Sequence, residues 1–125
     1  MRTRIEPANI PADLLPKVER FAELLEERLE VLQSFEIEAV LSAAPAHLER
    51  SVLLQMGVRD DEGVMRRDHD SCLTPDNLEG TDEFLLRLAS QIVSRFAAHL
   101  LKVEGENIRH MRERLRQPEP ATVEA

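Results

Sequence analysis

From Phe84 to Leu101, apolar residues come in adjacent pairs that recur every fourth position: Phe84-Leu85, Leu88-Ala89, Ile92-Val93, Phe96-Ala97 and Leu100-Leu101. That pattern predicts an amphipathic helix with a broad buried face. Thr81 is placed as its N-cap, and Asp82 and Glu83 suit the positive end of the helix dipole. A four-residue repeat outruns the helical period, so the apolar stripe creeps by roughly 40° per step. By Ile108, Met111 and Leu115 it has turned away from the face begun by Phe84, and Gly105 sits at the change. Glycine inside a helix weakens it by about 1 kcal/mol relative to alanine. The pattern therefore predicts one long helix from Thr81 to Arg116, whose second part faces a different neighbour from the first.

Upstream, Leu14, Val18, Phe21, Leu25, Leu29 and Leu32 predict a first helix, with Pro11, Asp13 and Pro16 marking its start. Val18, Leu25, Leu32 and Ala39 stand seven apart, which fits a bundle core or a short coiled-coil seam. Residues 12–44 read as one helix, or as two broken at Gln33-Ser34. Pro45 ends that stretch and opens a third helix carrying Leu48, Val52, Leu53 and Met56, with Gly57 as a left-handed C-cap. Residues 58–80 read as irregular, with short capped turns at Asp60 and at Thr74-Pro75-Asp76, and the acidic stretch 58–83 is expected to be mobile. Residues 1–10 read as an extended arm and 117–125 as a disordered tail. The expected fold is all-α: a three- to four-helix bundle with a long C-terminal helix, in a single helical domain spanning 11–116.

Charge and composition narrow the function more than the fold. The 125 residues carry 24 acidic and 16 basic side chains, a formal charge of −8, which argues against a general nucleic-acid binder. There is no Trp or Tyr to stack on bases. The charge is uneven: residues 58–83 hold 9 acidic and 3 basic groups, whereas 84–116 hold 7 basic and 3 acidic. Cys72 has no internal disulfide partner, and no leader or membrane span is visible, so a cytoplasmic protein is expected. Fourteen of the sixteen cations are arginine, a composition that points to a bacterial or phage source.

Candidate chemistry is sparse. The densest polar cluster is Arg66-Arg67-Asp68-His69-Asp70-Ser71-Cys72. His69 and Cys72 offer two zinc ligands where about four are needed, and the other histidines are His47, His99 and His110. Asp68 and Asp70 lie too close in sequence to complete a relaxed tetrahedron. His69-Asp70 is similar to the paired ligands of HD-type metal phosphohydrolases, over those two residues alone. Arg95 and His99 resemble the arginine–histidine pair of HEPN-type ribonucleases, with three residues between them and Phe96 where a polar residue usually follows the arginine. His99, Glu106 and His110 lie along one line of the last helix, and a Glu106–His110 salt bridge is the plainest use of that pair. No Gly-rich phosphate loop, nucleophile elbow or calcium loop is present.

The remaining feature is the basic end of the last helix, where Arg109, His110, Arg112, Arg114 and Arg116 surround Ile108, Met111 and Leu115. The sequence is therefore read as a small acidic interaction or regulatory module of adaptor, chaperone or inhibitor type. It is expected to self-associate or to bind a protein partner through Ile108, Arg109, Met111, Arg112 and Leu115, and to need no cofactor or metal. The alternative is a small hydrolase or ribonuclease using His69 with its neighbours, or Arg95 with His99. Convergence of His47, His69 and a carboxylate in one pocket would favour that alternative.

Overall fold

Val52, Leu54, Met56 and Val58 alternate along the chain, and so do Ile37, Ala39, Leu41 and Ala43. A period of two places each set on one face of a strand. A computed structural model describes residues 3–60 and 62–116, except the Asn107 side chain, and both stretches are strands in it. In chain order the elements are β1 (Thr3–Ile5), α1 (Leu15–Leu29), β2 (Ile37–Ala43), β3 (Val52–Arg59), β4 (Met65–Leu73), α2 (Pro75–Leu78) and α3 (Asp82–Arg116). The sheet order is β1-β2-β3-β4, with β1 parallel to β2 and the other pairs antiparallel. The fold is thus α/β, and the all-α helical bundle expected from the periodicity is overturned. The parallel β1–β2 pair requires a crossover, and α1 supplies it.

The misreading has a physical origin. β2 and β3 are central strands with apolar residues on both faces, which blurs a clean alternation. Val40 is only 1% exposed, yet it lies outside the main core cluster, on the opposite side of β2 from Ala39 and Leu41. Leu48, Val52 and Met56 match helical spacing as well as strand spacing. A helix there would strand Leu54 and Val58, which the sheet buries. Pro45 opens a turn, with the Leu48 N–H donating to its carbonyl at 2.8 Å, and the helix expected to run from Pro45 to Met56 does not form. Gly57 is not a C-cap either. It sits inside β3 at an irregularity in the β3–β4 register, where a Cβ would lie 2.4 Å from the Arg66 carbonyl oxygen and 2.7 Å from Arg67 Cα. A side chain has no room there.

The acidic stretch expected to be an irregular loop is largely a β-hairpin. Asp60 builds its turn: one carboxylate oxygen accepts the Glu62 and Val64 N–H groups, each at 2.9 Å, and the other accepts Arg66 Nε at 2.8 Å. Gly63 takes the left-handed conformation, φ 82°, that such turns demand. β4 escaped notice because its inward positions opposite Leu54 and Met56 are Ser71 and His69, which carry no apolar signal. It is also an edge strand, where charge discourages unwanted pairing.

α1 and α3 pack on each other and on one face of the sheet. Their buried residues are Val18, Phe21, Ala22, Leu24, Leu25 and Leu29 from α1 and Leu85, Ala89, Ile92, Val93, Phe96 and Leu100 from α3. Pro16 falls in the first turn of α1, as its backbone chemistry requires. α2 is held by a Thr74–Asn77 capping box. Thr81 caps α3 by accepting the Phe84 N–H at 3.2 Å. Arg20 on α1 binds Asp82 at the start of α3, at 2.9 Å, and this bond holds the Asp82 carboxyl below its usual pKa. Residues 30–44, read either as an extension of the first helix or as a second helix after Gln33-Ser34, instead form a short 3₁₀ turn and β2. The tail from 117 lies outside the described residues.

Candidate functional site

α3 has 35 residues and is therefore about 52 Å long. The core accounts for its first half, ending at Leu100. Beyond that point every described side chain is exposed except half-buried Val103. Leu101 is 74% exposed, Ile108 44%, Met111 53% and Leu115 80%. Leu101, expected within the buried stripe, faces outward. Arg109 and Arg112 are exposed as well, so the five partner-binding residues read from the sequence stand together on a projecting arm.

Two faces of this arm differ. One turns toward the β3–β4 hairpin across a cleft of about 620 Å³, lined by Asp60, Glu62, Arg66 and Asp68 opposite His99, Lys102, Glu106, His110 and Glu113. At the root of this cleft, His99 Nε2 stands 3.1 Å from Asp68 Oδ1. His69 packs beside it, with ring centroids 5.4 Å from Phe96 and 5.5 Å from His99. Burial against these rings lowers the His69 pKa, and neighbouring His99 and Arg95 push in the same direction, whereas Asp68 and Asp70 oppose them. The shift favours the uncharged imidazole.

The structure brings Asp68 and His69 together with Arg95 and His99, two pairs that belong to separate alternatives in the sequence. It leaves His47 apart, exposed in the β2–β3 turn, so the proposed convergence of His47 with His69 does not occur. His69 and Cys72 are three residues apart on a strand and point to opposite faces, His69 opposite Met56 and Cys72 opposite Leu53. They cannot share a metal. Among the described residues no group of three or more His, Cys, Asp or Glu side chains is placed to hold one. His99, Glu106 and His110 all line the cleft, as their spacing implied.

The other face carries the exposed apolar residues, and it continues into the body of the protein. There a shallow groove of about 250 Å³ runs between α1 and α3, lined by Arg28, Val31, Ser90, Val93, Ser94 and Ala97. Val31 at its wall is 77% exposed. The sequence reading missed this groove, although a spacing signal existed. Ser94, Ala97, Leu101, Ile108, Met111 and Leu115 all fall on one three–four repeat, with Glu104 filling the remaining step. The small residues hid it, because Ser94 and Ala97 do not register as an apolar stripe.

Compared with known protein families, curated proteins and solved structures, the chain matches none. Among the described residues no helix is long and apolar enough to cross a membrane.

Proposed function

We propose that this protein is a small acidic interaction module, of adaptor, chaperone or inhibitor type, whose docking element is the second half of α3. The observation that carries the reading is the run of exposed apolar side chains, Leu101, Ile108, Met111 and Leu115, along a helix that extends past its own core. Isolated exposed hydrophobics are ordinary on protein surfaces, but a row of them at helical spacing fits a helix-in-groove contact. Arg109, Arg112 and Arg116 border the row and favour an acidic protein surface. The overall charge of −8 and the absence of Trp and Tyr disfavour nucleic acid. The test is affinity capture with the full chain and with an Ile108→Glu, Met111→Glu, Leu115→Glu variant. Protein ligands, including untagged copies of the chain, should be retained by the parent and lost from the variant. Equal retention by both would remove the reading.

One observation supports a second reading, a hydrolase or ribonuclease. Asp68 and His99 form a carboxylate–imidazole pair at the root of an open polar cleft, with His69 and Arg95 alongside. A carboxylate that orients a histidine is the usual support for a general base. Cleavage of single-stranded RNA or of an activated phosphate ester, abolished by His99→Ala and retained by His47→Ala, would establish it. Equal rates in parent and His99→Ala would dismiss it.

A further inference from the structure

The arm and the groove on α3 are complementary to each other, and no single copy can bring them together. Positions 90, 94, 97, 101, 104, 108, 111 and 115 alternate steps of four and three, a heptad seam running from the groove to the helix end. This seam is distinct from the buried stripe, and it lies opposite the cleft-facing residues His99, Glu106 and Glu113, which occupy the outermost heptad position. Its two halves differ in size. The body half is Ser90, Ser94 and Ala97, and the arm half is Ile108, Met111 and Leu115. The Ser90 hydroxyl is already satisfied, donating to the Leu86 carbonyl at 2.8 Å, so it can be covered by an apolar side chain at little cost. Val93 forms part of the groove lining, and the wall residue Val31 is left largely bare.

We propose that the arm docks in this groove on a second copy of the chain, with the two α3 helices antiparallel and related by a two-fold axis near Leu101–Glu104. The inference rests on the reading of the arm as the docking element. Antiparallel packing pairs the seam positions so that Leu115 covers the partner's Ser90, Met111 covers the partner's Ser94, and Ile108 covers the partner's Ala97. Leu101 then meets the partner's Glu104 across the axis. Ile108, Met111 and Leu115 thus each meet a small side chain, and the seam as a whole runs over about 37 Å of helix. Such an interface is isologous and closes, since each copy gives one arm and one groove.

Charge selects the same arrangement. Residues 108–116 hold four arginines and a single glutamate, whereas residues 19–30, in α1 and the turn after it, hold five glutamates and two arginines. Of these, Arg28 lines the groove, while Glu23 and Glu26 are engaged by Arg20 and Thr3 of the same copy. Glu27 and Glu30, next to the groove residues Arg28 and Val31, are exposed. Antiparallel docking sets the basic arm of each copy on the acidic wall of the other. Parallel docking would align the two basic arms, and would stack large residues on large while leaving the small-residue groove empty.

The test uses the purified full chain alone. Light scattering should report a dimer at micromolar concentration. In a Cys72→Ser background, Ala97→Cys with Ile108→Cys should give disulfide-linked dimers on oxidation. These two positions are about 16 Å apart along one helix, too far to bridge within a chain. The control pair Ala97→Cys with Leu115→Cys, one heptad out of register, should stay unlinked. Ile108→Glu on the arm and Ser94→Trp in the groove should each weaken the dimer by at least roughly thirtyfold. Both positions are exposed in one copy, so thermal melting by circular dichroism should show each monomer still folded. A monomeric parent protein would overturn the inference. So would linking of the control pair instead of the matched pair, or a dimer indifferent to both substitutions. A monomer that still loses its captured proteins in the triple glutamate variant would remove the dimer and leave the docking arm standing.

Discussion

His99 reaches Asp68, with Nε2 3.1 Å from Oδ1, and this contact ties the middle of α3 to the charged edge strand β4. Around it the second half of α3 separates into a polar side that faces the hairpin and an apolar side left exposed among the described residues. The Asp68 side chain is 57% exposed, so the pair is held in water. Asp68→Ala should therefore lower the unfolding free energy by no more than about 1 kcal/mol. Urea titration of the two proteins checks this, and a larger loss would mean that the contact organises the hairpin rather than decorating it.

His69 gives stability a pH dependence of definite sign. Burial lowers its folded pKa below the ordinary value of 6.5, so at mildly acid pH the unfolded chain binds more protons there than the folded one. Its contribution is level above pH 6.5 and turns destabilising as pH falls from there through the lowered folded value. A melting-temperature series across that window should slope downward toward acid, and His69→Gln should flatten it. Asp68, Asp70, Arg95 and His99 surround the ring in both proteins and provide the common background.

The two glycines Gly57 and Gly105 should respond to alanine in opposite directions. At Gly57 a methyl group meets the backbone of Arg66 and Arg67, well inside contact distance, so Gly57→Ala should cost about 1–3 kcal/mol by overpacking. At Gly105 the added carbon meets nothing within 4 Å on an exposed stretch of α3. There Gly105→Ala should favour the helix by about 0.5–1 kcal/mol. Circular dichroism at 222 nm, followed through temperature, reports both.

The Phe96 ring is fully buried in the α3 face of the core and also forms the floor against which His69 and His99 pack. Phe96→Ala should cost about 3–5 kcal/mol. It should also return the His69 pKa toward its ordinary value, because burial is the leading cause of the shift. Proton NMR titration of the imidazole would show the second effect independently of the first.

Amide exchange separates the hairpin from a mobile loop. The residues of β4 that bond to β3 should exchange slowly, and protection should fall off along α3 beyond Leu100, where the core ends. Uniformly fast exchange over Met65–Leu73 would contradict the strand.

Both long helices were legible because their periodicity is local. Leu14, Val18, Phe21 and Leu25 lie on one face whatever the rest of the chain does, and Thr81 caps α3 through a hydroxyl three residues from the amide it serves. The exposed side chains of Ile108, Met111 and Leu115 followed from the creep of a four-residue repeat past the helical period. Strands lack such independence. Whether Val52 and Met56 sit on a helix or alternate on β3 depends on Leu41, Ala39 and Ile37 arriving alongside to satisfy the backbone, and those partners come from a different part of the chain. β4 is the extreme case, since its residues are charged and only pairing with β3 makes them a strand. The same limit applies to the site: His99 and Asp68 are 31 residues apart, and only the packing of α3 beside the β4 edge brings them within hydrogen-bond reach. Local spacing determines a helix and its faces, whereas which side chains meet across elements is set by how the sheet closes beneath them.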